Sequence, residues 1–79
     1  MSSVIGKYLR ELRYRHGWTQ ADLERMTNVK YQRWSSIETG IRPRLSENDI
    51  VAIYKLYGID YSTLIKEAAE FDMKQSSNN

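Results

Sequence analysis

Four helix-ending residues, Gly17, Asn28, Gly40 and Gly58, cut this chain into five short segments, and the apolar side chains inside them recur at intervals of three and four. Ile5, Leu9 and Leu12 share one helical face, as do Ile50, Ile53, Tyr54 and Tyr57. No stretch alternates with period two for long, so the fold class is all-α. Ser3 can cap a first helix that ends at Gly17 behind Arg13, Arg15 and His16, cations that suit the negative end of a helix dipole. Thr19 and Asp22 form a capping-box-like start for a second helix, and Asn28 tolerates the left-handed conformation of a tight turn. A third helix runs from about Lys30 to Glu38 and stops near Gly40. Pro43 bars continuation, Ser46 with Asp49 restarts a fourth helix, and Asp60 caps a fifth from Leu64 to about Phe71.

At 79 residues, 41% of them hydrophobic, there is enough chain for one domain, over residues 1–71, and a multidomain enzyme is excluded. Residues 72–79, ending in Gln75-Ser76-Ser77-Asn78-Asn79, have nothing to bury and are expected to be a disordered tail or the start of a linker. On the last helix Ile65, Ala68, Ala69, Phe71 and Met73 are expected to be exposed, as a surface for a partner. The absence of cysteine excludes a disulfide scaffold, a thiolate zinc site and a cysteine nucleophile, and makes the cytoplasm the expected compartment. MSSVIGKYLR is too short in apolar residues for a secretory signal, and no run approaches membrane-spanning length. His16 has no cysteine or second histidine beside it, so no metal and no cofactor is expected.

The net charge of +2 conceals two halves of opposite sign. Residues 1–44 carry nine basic against four acidic side chains, a net of +5, while residues 45–79 carry three against six, a net of −3. The first half therefore suits an anionic partner. Within it lies a short helix, a tight turn and a second short helix, with Leu23, Val29, Trp34 and Ile37 spaced to meet in one core. Trp34 and Ile37, three apart, hold the third helix by one face. Its other face displays Lys30, Tyr31, Gln32, Arg33, Ser35 and Ser36, groups able to contact base edges and phosphates in a major groove.

These residues resemble the Cro/repressor-type (XRE-like) helix-turn-helix DNA-binding family over roughly residues 4–66. The likeness is carried by IGKYLRELR with Gly17, Thr19 and Gln20, by Leu23, Val29, Trp34, Ile37, Glu38 and Gly40 at ungapped spacing, and by Tyr57-Gly58-Ile59-Asp60 with Leu64. It implies a compact five-helix, lambda-repressor-like domain, a recognition helix starting near Lys30, and a homodimer on a near-palindromic operator in double-stranded DNA. It also implies base contacts from Tyr31, Gln32 and Ser36, to which the chemistry of the exposed face adds Lys30 and Arg33. Gln20 matches a phosphate-gripping position at the second helix's N-terminus, where free N–H groups attract anions. Arg42 and Arg44 match the loop that follows the DNA backbone, though they also read as ordinary loop charges, and Arg10 is a further phosphate candidate. Arg13 and Glu38 match the family's structural ion pair.

Two positions depart from the family pattern. Glu24 stands where a small alanine is favoured, and a carboxylate cannot be buried unpaired, so a wider crossing of the second and third helices is expected. Lys30 stands where Ser or Thr would cap the third helix, forfeiting about 1 kcal/mol and opposing the dipole, which marks it as a candidate for reaching DNA. The function expected from all this is a sequence-specific transcriptional regulator acting by repression. Two readings of other classes are an antitoxin-like module, whose main partner is a protein held by the acidic fourth and fifth helices, and a purely protein-binding helical module. An enzyme is not expected, because no nucleophile, base and oxyanion donors are gathered in the sequence.

Overall fold

Breakers and caps set the helix limits within a residue or two at most ends. The computed structural model describes residues 4–40 and 44–77, with side chains to residue 75; Ser3, Arg42 and Pro43 lie outside the described residues. The elements are α1 (Val4–Arg15), α2 (Gln20–Thr27), α3 (Tyr31–Thr39), α4 (Glu47–Tyr57) and α5 (Tyr61–Ser77), with no strand among the described residues. Asn28, the one non-glycine residue with positive φ among them (63°), closes α2 in the left-handed conformation that its short polar side chain tolerates. Reciprocal capping boxes start α2 (Thr19 with Asp22) and α4 (Ser46 with Asp49), and Asp60 Oδ1 accepts the Thr63 N–H at 2.8 Å at the head of α5.

Helices this short are held by packing rather than by their own hydrogen bonds. Each contributes to one core: Tyr8, Leu9 and Leu12 from α1, Leu23 from α2, Trp34 and Ile37 from α3, Ala52 and Ile53 from α4, Leu64 and Ala68 from α5. α1 packs along α5 and across α3, and α2 rests on α3 and α4. The face that α3 presents outward is thus fixed by the depth of Trp34 and Ile37, which are 1% and 2% exposed.

The structure corrects three expectations. α5 starts at Tyr61 and continues to Ser77, so the segment 72–77 is helical instead of a disordered tail. Just before this segment α5 is seated on α1, where Tyr8 donates its hydroxyl to Glu67 Oε1 at 2.9 Å and sets its ring 5.5 Å from that of Phe71. Of the side chains expected to be exposed on α5, Ala68 is fully buried and Phe71 half-buried, which leaves Ile65, Ala69 and Met73 outside. On α4 the inward stripe is Asp49, Ala52, Ile53 and Leu56, so Tyr54 stands in solvent. That stripe contains a carboxylate, so apolar periodicity finds Ile53 and Tyr57, both packed in or against the core, but places Tyr54 inward where Asp49 is.

Candidate nucleic-acid interface

The pairing of α2 with α3 begins with Leu23, buried on α2, and Val29, packed against the core from the turn. With Trp34 and Ile37 holding α3 from behind, Lys30, Tyr31 and Gln32 are exposed on the opposite flank and Ser36 is half-exposed beside them. Ser36 Oγ donates to the Gln32 carbonyl at 3.0 Å. The Lys30, Tyr31 and Gln32 side chains have no hydrogen bond or ion pair to other described residues, and their polar groups face solvent. Arg44 is also exposed and unpaired among the described residues, and Arg42 lies outside them.

Arg33, expected on this flank, is committed elsewhere. Its Nε donates to Asp49 Oδ1 at 2.9 Å and its Nη2 to Asp49 Oδ2, a bidentate pair that ties α3 to the start of α4. Asp49 is 1% exposed and also accepts the Ser46 N–H at 2.8 Å in the capping box. The sequence shows Asp49 as a cap only, since its second partner lies sixteen residues away. Burial pushes the Asp49 carboxyl up, and the hydrogen bonds from Arg33 and Ser46 more than reverse this, so it titrates below its ordinary value. A depressed carboxyl contributes stability that is fully present above the ordinary carboxylate range and is lost as pH falls through the folded-state pKa. Unfolding followed by circular dichroism is therefore expected to show stability declining below about pH 4, with a shallower decline in Asp49→Asn.

Gln20 and Arg10 gather at a second centre. Arg13 donates Nε to Glu38 Oε2 at 2.8 Å and Nη2 to Glu38 Oε1 at 2.9 Å, while its Nη1 bonds the Trp18 carbonyl at 3.0 Å. Gln20 Nε2 donates to the same Glu38 Oε1 at 3.3 Å, and Arg10 Nε lies 3.6 Å from it. The Glu38 side chain is 1% exposed and that of Arg10 is 43% exposed, so a single buried carboxylate on α3 gathers side chains from α1 and α2, and Arg10 reaches from it to the surface. The Glu38 hydrogen bond raises the pKa of Arg13 against the opposing effect of burial. An aromatic group covers the same junction, with His16 stacked on Trp18 at 4.4 Å and Tyr57 at 5.8 Å from Trp18. Burial and the nearby Glu38 push the Tyr57 hydroxyl up to about 12.

Glu24 has a partner that the sequence does not show. Its side chain is half-buried but not unpaired, because Oε1 accepts the Tyr31 N–H at 2.9 Å. A glutamate seven residues before a helix start carries no sequence signal for such a contact.

This arrangement of two short helices about a tight turn, the second held by one face and bare on the other, has a counterpart among known proteins. A family model described as a helix-turn-helix domain matches residues 4–64. The chain belongs to the helix-turn-helix family. That assignment agrees with the Cro/repressor-type resemblance and with the five-helix, all-α fold. Neither a curated protein nor a solved structure gives a significant match. Among the described residues no helix is long and apolar enough to cross a membrane, and no cluster of three His, Asp or Glu is placed to hold a metal ion.

Proposed function

We propose that this helix-turn-helix protein is a sequence-specific transcriptional regulator that places α3 in the major groove of double-stranded DNA and represses. One observation carries the reading: Trp34 and Ile37 are locked in the core while Lys30, Tyr31 and Gln32 on the other flank keep their hydrogen-bonding groups free. Gln32 suits a bidentate contact to adenine, the Tyr31 ring a thymine methyl, and Lys30 a guanine edge or a phosphate, with Ser36 in reach of a further base. Arg33 is assigned to holding α3 on α4 instead of reading bases, because Asp49 occupies both sides of its guanidinium fork. Gln20, Arg10, Arg42 and Arg44 are assigned to phosphates, which set register without reading sequence. Binding as a homodimer places two half-sites about 34 Å apart on a near-palindromic operator, in the cytoplasm where the DNA is.

Selection of bound duplexes from a random pool tests this reading, with an enriched inverted repeat as the expected result and no enrichment over non-specific retention as the contrary one. On the enriched sequence, Gln32→Ala is expected to relax preference at one base pair by about 1–3 kcal/mol. Arg44→Ala should weaken binding to all sequences alike and reduce the salt slope by about one. Equal effects of the two substitutions on base preference and on salt slope would sink these assignments.

A further inference from the structure

One residue brackets the turn between α2 and α3. The Glu24 carbonyl accepts the Asn28 N–H at 2.8 Å where α2 ends, and the Glu24 carboxylate accepts the Tyr31 N–H at 2.9 Å where α3 begins. Between them the Val29 N–H is taken by Thr27 Oγ1 at 3.2 Å. Tyr31 is the first residue of α3, and its N–H is one that an N-cap side chain, which reaches the second or third amide, would leave unbonded; the N-cap residue itself is Lys30, which has no acceptor and makes no side-chain cap. We propose that Glu24 caps the first amide of the recognition helix across the turn from α2, and so holds the head of α3 where Tyr31 and Gln32 project.

Charge alone argues against a carboxylate at this place, because it repels the phosphates the surface is built to meet. Its bond to Tyr31 gives it a use that offsets that repulsion. α3 spans nine residues, too few to hold its own first turn, so what fixes the Tyr31 N–H also fixes the frame from which Tyr31 and Gln32 project. Glu24 is thus a positioning residue. The capping role stands on the protein alone, whereas the positioning role rests on the DNA-binding reading above.

Amide exchange and thermal unfolding of the free protein test the cap. Glu24→Ala is expected to lose roughly tenfold protection at the Tyr31 amide and to lower the melting temperature by about 4 to 8 °C. Glu24→Gln, whose side-chain carbonyl can accept the same bond, should retain most of both. Lys30→Ser, whose hydroxyl reaches the Gln32 or Arg33 N–H, should stabilise both backgrounds alike and leave the Tyr31 amide unprotected in Glu24→Ala. Unchanged Tyr31 exchange in Glu24→Ala, or full restoration of Tyr31 protection by Lys30→Ser, overturns the cap. For positioning, the pool-enriched duplex is compared with a shuffled duplex of equal length. Glu24→Ala is expected to tighten binding to the shuffled duplex yet lower the ratio between the two by roughly tenfold, while Glu24→Gln keeps the ratio. A ratio unchanged in Glu24→Ala overturns the positioning role and leaves the cap standing. A pool that enriches nothing overturns the DNA-binding reading, and the positioning role with it, while the Tyr31 amide still decides the cap.

Discussion

Glu38→Ala is expected to lower the stability of the protein by about 3 to 5 kcal/mol. The lost carboxylate is the acceptor for both arms of Arg13 and for Gln20, and its side chain is 1% exposed. Arg13, only 11% exposed, would keep its charge and its bond to the Trp18 carbonyl with nothing opposite. Stripping one partner from a buried ion pair costs about 3 to 5 kcal/mol, while a domain of this length holds on the order of 4 to 12 kcal/mol in total. Urea unfolding should show the midpoint displaced accordingly. Replacing both partners by apolar groups, Arg13→Met with Glu38→Leu, should recover most of the loss, because no unpaired charge then remains inside. A single Glu38→Ala penalty below about 1 kcal/mol would mean that water reaches Arg13 and that the pair is not the closed centre its geometry indicates.

Asp49→Ala is expected to cost about 2 to 4 kcal/mol, since it removes the cap of α4 and the bidentate pair with Arg33 together. Its consequence for DNA differs from that of a simple destabilisation. Arg33 would be released beside α3, 27% exposed even while paired, so binding to duplexes of any sequence should tighten and its salt slope should steepen by about one. Arg33→Ala in the otherwise unaltered chain should lower stability by about 1 to 2 kcal/mol and leave base preference intact. If Arg33→Ala instead relaxes preference at one base pair as strongly as Gln32→Ala, Arg33 leaves Asp49 when DNA arrives.

The helices and their ends were legible because their causes are local. Thr19 with Asp22, Ser46 with Asp49 and the stops at Asn28 and Gly58 act through bonds that span three or four residues. Leu23, Trp34 and Ile37 were legible for a related reason, since their burial follows from helical period and size. On α4 the inward places of Ile53 and Tyr57 were legible, but Tyr54 was put in place of Asp49 because a buried carboxylate carries no apolar signal. α5 was cut short because the polar residues after Phe71 carry no apolar period to mark a helix.

Helix number and order, most helix limits, and the flank of α3 left exposed at Lys30, Tyr31 and Gln32 were written in the residues themselves, through period, caps and breakers that need only near neighbours. The occupation of each polar side chain was settled by folding. Arg33 meets Asp49 across sixteen residues, Gln20 meets Glu38 across eighteen, and Tyr31 meets Glu24 across seven. A guanidinium forks onto a carboxylate by the same geometry as onto a phosphate, and only the approach of another helix determines whether a carboxylate stands within its reach.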